Sequence, residues 1–174
     1  MQLKPYKWFY LLPTLMLFST LAFSAETPTA HQSAATLYKD ECSSCHMAYP
    51  VELLPARSWD KILTHLDQHL GDNASLDADT LAQLRQYLRD NNADTIDSRR
   101  SRRLLRSLPA DTTSLRITEL PYIRRQHGEI PRRYISGNPQ VKRLGNCIAC
   151  HQGAEQGVFS EHQIRIPGYG RWDD

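Results

Sequence analysis

Apolar side chains recur at helical spacing in several stretches of the chain, and turn-forming residues separate these stretches. In the clearest stretch, Ser58 is a candidate N-cap and Gly71 a candidate end of the helix. Its apolar stripe consists of Trp59, Ile62, Leu63, Leu66 and Leu70. The same spacing predicts helices that start near Ser33, Asp77, Asp97 and Pro121, and a last helix through Val141 and Leu144. Strand-like alternation is weak throughout, so we predict a mainly α-helical domain with little or no β-sheet.

The N-terminal segment has the pattern of an export signal. Lys4 and Lys7 precede 16 mostly apolar residues, from Trp8 to Phe23, and small residues follow. We expect three parts: a signal peptide over residues 1–24, or 1–25, a flexible leader over 25–32 and one domain over 33–174. The location is then the periplasm. An uncleaved membrane anchor is the alternative, although a bilayer span takes about 20 residues.

Composition adds a charge asymmetry to this picture. The chain has 174 residues, 40% of them hydrophobic, which suits one folded domain. Residues 25–97 carry 5 basic and 12 acidic side chains, net −7, whereas residues 98–143 carry 12 basic and 3 acidic, net +9. Because residues 25–174 are neutral as a whole, with 19 of each sign, we do not expect a nucleic acid partner.

All four cysteines lie in two motifs of the form CxxCH, at residues 42–46 and 147–151. This is the attachment pattern of c-type haem. Two thiols three residues apart reach the two vinyl groups on one edge of a porphyrin, and the next residue, His46 or His151, offers a nitrogen to the iron. The motifs predict two covalent haem c groups, bound through Cys42 and Cys45 and through Cys147 and Cys150.

Two other interpretations of the cysteine pairs are weaker. Structural zinc needs reduced thiols, which exported proteins rarely keep. A thioredoxin-like redox pair needs a βαβ pattern, and the sequence has none. An accidental match to the haem pattern would have to place a histidine directly after both cysteine pairs and leave no other cysteine in the chain. We therefore expect the haems to complete the core.

The second axial ligands are expected to be histidines. Past the export segment the only methionine is Met47, which adjoins His46 and cannot easily reach the opposite haem face. On one continuous helix, His69 lies about 75° from the centre of the apolar stripe and His65 about 115°. His69 thus borders the buried face, and His127 follows Tyr122 and Ile123 at helical spacing, so both can face inward as distal iron ligands. Their rivals are His65 and His162, whereas His31 lies in the leader.

Several segments resemble the di-haem cytochrome c family of bacterial periplasms. The resembling segments are residues 41–50 (ECSSCHMAYP), 53–59 (LLPARSW), 69–71 (HLG), 116–119 (RITE), 127–131 (HGEIP) and 146–151 (NCIACH). The resemblance implies a small helical protein with two covalent haems, each bound by two histidines, with His69 and His127 as the distal ligands. It also implies a soluble electron carrier that exchanges electrons with a membrane b-type cytochrome and a small soluble haem protein.

We therefore expect an electron-transfer protein, not an enzyme, and no small-molecule substrate. The alternative is a haem enzyme, such as a peroxidase or nitrogen-oxide reductase, or a gas or redox sensor, with one open iron site. The arginines leave three interpretations open: a solvated helix face, counter-charges for the haem propionates, or a docking face for an acidic redox partner. They are Arg99, Arg100, Arg102, Arg103, Arg106, Arg124, Arg125, Arg132 and Arg133.

Overall fold

The computed structural model describes residues 33–172, together with Gln2. The expected signal peptide and leader lie outside the described residues, as does His31. Within residues 33–172, no helix has both the length and the apolar character that a bilayer span requires.

Five α-helices and one small hairpin build the described domain. The helices are α1 (Ala34–Cys42), α2 (Ala56–Thr64), α3 (Ala78–Asp90), α4 (Arg99–Ser107) and α5 (Pro121–Gln126). The hairpin pairs β1 (Arg165–Ile166) with β2 (Gly170–Arg171) in antiparallel register. Single 3₁₀ turns connect these elements at Val51–Leu53, Leu66–Gln68, Ile117–Glu119, Arg132–Tyr134, Cys147–Ala149, Ala154–Gln156 and Glu161–Gln163. The prediction of a mainly helical fold is confirmed.

Helices α1, α2 and α3 pack together around one apolar core. Leu54, Leu84, Leu88, Leu104 and Leu120 are almost fully buried in it. This burial, at roughly 2 kcal/mol for each leucine, is the main favourable term that holds short helices in place. Both CxxCH motifs lie outside the helix interiors, one at the end of α1 and the other in a 3₁₀ turn.

Local capping explains where several helices begin. The hydroxyl oxygen of Ser33 accepts a hydrogen bond from the amide of Thr36 at 3.2 Å, and a carboxylate oxygen of Asp77 accepts from Thr80 at 2.9 Å. Both caps are as predicted. Helix α4 begins one residue later than expected, because Ser98 supplies the cap in place of Asp97.

The prediction of one continuous helix from Ser58 to Gly71 is wrong. Helix α2 begins earlier, after Pro55, and Ser58 is a buried residue in its first turn. It ends at Thr64, because His65 leaves the helical conformation, with φ −128° and ψ 42°. A 3₁₀ turn and a left-handed Leu70, with φ 57°, then carry the chain to Gly71.

The predicted last helix through Val141 and Leu144 is also wrong. Lys142 is in the left-handed region, with φ 67°, so the segment is a series of turns. Asn138 holds these turns, since its side-chain oxygen accepts from the amide of Gln140 at 3.0 Å and its side-chain nitrogen donates to the carbonyl of Pro167 at 2.8 Å. Near the end of the described residues, β1 and β2 form the small hairpin.

Candidate functional site

The first CxxCH motif lies at the C-terminal end of α1. Cys42 is the last residue of the helix, and Cys45 and His46 follow in the turn after it. The imidazole Nδ1 of His46 lies 2.7 Å from the carbonyl oxygen of Met47. This contact orients the ring of His46 and leaves its Nε2 for another partner.

His69 faces His46 across a short gap. The centres of the two imidazole rings are 6.2 Å apart, and their planes are inclined by 32°. A tight turn presents His69, in which the amide of Asp72 donates to the carbonyl of His69 at 3.1 Å. The structure therefore places His69 near the first motif through a turn. We had inferred His69 from its angle on a continuous helix, but that helix ends at Thr64, before His69.

The second CxxCH motif forms a 3₁₀ turn, Cys147–Ala149. Backbone hydrogen bonds hold it. Among them, the amide of His151 donates to the carbonyl of Cys147 at 2.8 Å, and the amide of Arg165 donates to the carbonyl of Cys150 at 3.0 Å. The first residue of β1 thus helps to fix the position of the second motif.

His127 faces His151 in the same way. It caps the C-terminal end of α5, and its Nδ1 lies 2.8 Å from the carbonyl oxygen of Ile123. The ring centres of His127 and His151 are 6.0 Å apart, with an interplanar angle of 73°. Each CxxCH histidine therefore has one partner histidine at nearly the same ring separation.

A large cavity surrounds the second pair of histidines. The space between its walls totals about 1440 Å³, including the part that is open to solvent. Cys147, Cys150, His127 and His151 all line it. The apolar part of its lining consists of Tyr49, Leu53, Ile117, Tyr122, Ile123, Ile130, Tyr134, Ile135, Val141, Leu144, Phe159, Ile164, Ile166 and Trp172. These walls suit a flat apolar ring system.

In each pair, the surroundings favour the neutral form of one histidine, His69 in the first and His151 in the second. Burial lowers the pKa of His69, and the facing His46 lowers it further. Burial likewise lowers the pKa of His151, with His127 and then Arg100 adding to the effect. A neutral imidazole is the form that binds a metal ion.

The four cysteines form no disulfide with one another. Burial raises the pKa of the Cys42 thiol to about 11 and also raises the pKa of Cys147 and Cys150. In a c-type cytochrome these sulfur atoms are uncharged thioethers, which such buried positions accommodate. Within residues 33–172, no three side chains of His, Cys, Asp or Glu converge as a zinc site requires.

The two rival histidines are placed differently. His65 is the exposed C-cap of α2, and His162 is exposed in a 3₁₀ turn near the hairpin. Neither ring has a contact with His46 or His151. The geometry thus favours the pairs His46–His69 and His127–His151.

Sequence reasoning missed the part that Tyr49 and Arg100 play at these sites. The Tyr49 ring lies 5.0 Å from the His46 ring, and its hydroxyl donates to the carbonyl of Gly145 at 2.8 Å. Tyr49 also lines the cavity around His151, so it touches both sites. In the sequence, the only indication that Tyr49 belongs to a haem site was its position in the ECSSCHMAYP segment.

Arg100 differs from the other arginines of α4 because it is half-buried at the cavity. Its guanidinium lies 4.7 Å from the centre of the Phe159 ring, which is itself 5.3 Å from the His151 ring. It donates to a carboxylate oxygen of Glu52 at 2.8 Å and to the carbonyl of Gly157 at 3.1 Å. This puts a fixed positive charge near the second pair of histidines.

The profile of one protein family, described as dihaem cytochrome c, matches residues 38–159, a range that contains both CxxCH motifs. The chain belongs to the dihaem cytochrome c family. The prediction of two c-type haems with iron is thereby confirmed, and this dihaem cytochrome is an electron-transfer haem protein.

Solved structures of dihaem cytochromes are similar to this chain. The diheme cytochrome type c from Shewanella baltica OS155 is 41% identical, with a TM-score of 0.67, over 80% of this chain and 98% of its own. The diheme cytochrome c from Rhodobacter sphaeroides is 44% identical, with a TM-score of 0.64, over 71% of this chain and 95% of its own. No curated protein matches the chain.

The residues of this dihaem cytochrome fit the haems that its family implies. Cys147, Cys150 and His151 line one apolar cavity together with His127. At the first site, Cys42, Cys45 and His46 follow one another at the end of α1, and His69 stands opposite. Haem iron supplies one-electron chemistry by changing between its ferric and ferrous states.

Proposed function

We propose that this protein is a periplasmic electron carrier whose two haem irons are each bound by two histidines. The pairs are His46 with His69, and His151 with His127. The observation that carries the proposal is their ring separation of 6.2 Å and 6.0 Å. Two imidazole nitrogens on opposite sides of one metal are about 4 Å apart, which places the ring centres about 6 Å apart.

Hydrogen bonding supports these roles. The Nδ1 atoms of His46 and His127 lie within 2.8 Å of backbone carbonyl oxygens. Each Nδ1 therefore carries the proton, so Nε2 holds the lone pair that binds iron. Met47 is buried, and its carbonyl takes part in orienting His46, which argues against Met47 as an axial ligand.

A protein with histidine on both sides of each iron transfers electrons and does not bind a substrate at the metal. We propose a membrane b-type cytochrome as one redox partner and a small soluble haem protein as the other.

Tyr49 contacts the His46 ring and lines the cavity at His151. This favours haems close enough to exchange electrons within the domain.

The ligand assignment is tested with four single variants of the protein matured with haem. We expect His69→Ala and His127→Ala each to convert one haem from low spin to high spin and to let it bind carbon monoxide. His65→Ala and His162→Ala are matched controls and leave both haems low spin. Reduced absorption spectra with and without carbon monoxide give the readout.

Each outcome has a distinct meaning. If His69→Ala or His127→Ala leaves both haems low spin, that ligand assignment is wrong. If His65→Ala or His162→Ala instead makes one haem high spin and able to bind carbon monoxide, the histidine replaced in that variant is the distal ligand. If the unaltered protein already binds carbon monoxide at one haem, the iron is open and the function is that of a haem enzyme or gas sensor.

A further inference from the structure

A cationic groove lies between α4 and α5. Arg103, Arg106 and Ser107 form its α4 side, and Tyr122, Arg125 and Gln126 form its α5 side. We call this set the arginine groove. Its three arginines are exposed, and none of the described residues that line it carries a carboxylate. The groove is therefore a concave surface with one sign of charge.

The charge of the arginine groove is not neutralised within the described domain. Among the arginines of residues 33–172, Arg100, Arg102 and Arg116 each pair with a carboxylate. Arg103, Arg106 and Arg125 have no such pair in that part of the chain. Like charges held near one another repel, and an anionic surface that docks there relieves the repulsion.

The position of the arginine groove connects it to the second haem site. Tyr122 and Gln126 line the groove and also line the cavity that holds His127 and His151. Helix α5 is thus the common wall, and His127 follows directly at its C-terminal end. A molecule seated on the groove has one helix between itself and that cavity.

We propose that the arginine groove docks the acidic face of a redox partner protein and that electrons cross between this partner and the haem at Cys147–His151. The proposal rests on the proposed electron-carrier function. One electron passes between the partner's redox centre and the haem iron, and no proton or covalent bond is exchanged. A protein surface is favoured because three arginines along two helices match a row of carboxylates.

The test uses the haem-loaded protein and a reduced plant-type [2Fe–2S] ferredoxin, a small acidic one-electron donor, as the probe. The groove variant is Arg103→Glu with Arg125→Glu. The matched control is Lys61→Glu with Arg89→Glu, which changes the net charge equally at exposed positions of α2 and α3. Stopped-flow absorbance gives the rate constant of haem reduction at low and high salt.

We expect the groove variant to react about tenfold or more slowly than the control variant at low salt, and the difference to vanish at high salt. Equal rate constants for the two variants would overturn the proposal. Oxidation of the reduced protein by a small uncharged quinone is measured in parallel. If the quinone oxidises all variants, equal rate constants with ferredoxin reject only the docking surface. If the quinone oxidises none of them, the proposed electron-carrier function is wrong.

A membrane surface is the other source of negative charge. Co-sedimentation with phosphatidylglycerol vesicles distinguishes it from a protein partner. If the groove variant loses vesicle binding but reacts with ferredoxin like the control, the occupant is a membrane and the proposal is wrong. We expect instead that the groove variant reacts more slowly with ferredoxin than the control variant and that the two variants bind vesicles equally.

Discussion

Replacing Tyr49 by phenylalanine tests whether one side chain ties the two haem sites together. In the structure, the Tyr49 hydroxyl donates to the carbonyl of Gly145 at 2.8 Å, two residues before Cys147. Its ring lies 5.0 Å from the ring of His46. Tyr49→Phe removes the hydrogen bond and leaves the ring contact unchanged.

The expected loss follows from that single bond. A partly buried hydroxyl–carbonyl bond contributes about 1 kcal/mol to the free energy of unfolding. With a guanidinium dependence of about 3 kcal/mol per molar, the denaturation midpoint falls by about 0.3 M. Tyr49→Ala also removes the ring, which is half-buried, and we expect a loss of about 2–3 kcal/mol.

The assay is guanidinium unfolding of the haem-loaded protein, followed by the Soret band and by far-ultraviolet circular dichroism. Tyr169→Phe is the control, since Tyr169 is 55% exposed and should change stability by less than about 0.5 kcal/mol. If Tyr49→Phe shows the same midpoint as the unaltered protein, the link between the two sites through Gly145 does not contribute to stability.

Two further predictions concern charge. We expect Arg100→Gln to lower the reduction potential of the haem at His151 and Glu52→Gln to raise it, because a nearby positive charge favours the ferrous state; shifts of the same sign in a spectroelectrochemical titration would contradict this. Hydrogen bonds from the amides of the first turn of α3, chiefly that of Thr80, hold the pKa of Asp77 below its ordinary value of 3.8. A depressed pKa contributes stability above the unfolded-state pKa that is lost as pH falls through the folded-state pKa. Asp77→Ala should therefore lower the free energy of unfolding at pH 7 and reduce the further loss of stability below about pH 4. If thermal melts at several pH values show the same loss at acid pH in the variant, the carboxylate cap does not contribute to stability.

The cofactor and the helical character of the fold were predictable because they depend on local patterns. The CxxCH spacing is a covalent requirement of haem attachment, and it needs no knowledge of the rest of the chain. Apolar residues at helical spacing marked α2 and α3 in the same way. Asp77 and Ser33 were recognisable as caps because capping involves only the first turn of a helix.

What depends on tertiary contacts was not predictable. His69 was chosen from an angle on a helix that ends at Thr64, and the structure places it opposite His46 through a turn. The turns from residue 138 to 146 depend on hydrogen bonds of Asn138 with Gln140 and Pro167. Pairing across 29 residues leaves no periodic signal in the sequence.

The most direct test of two-histidine ligation at each haem is the absorption spectrum of the dithionite-reduced protein, recorded before and after addition of carbon monoxide. The sample is the unaltered chain, produced in a host that attaches c-type haem. We predict a sharp low-spin α-band that carbon monoxide does not change, because histidines occupy both sides of each iron. A Soret shift that corresponds to one of the two haems would contradict it, since one iron would then have an open position.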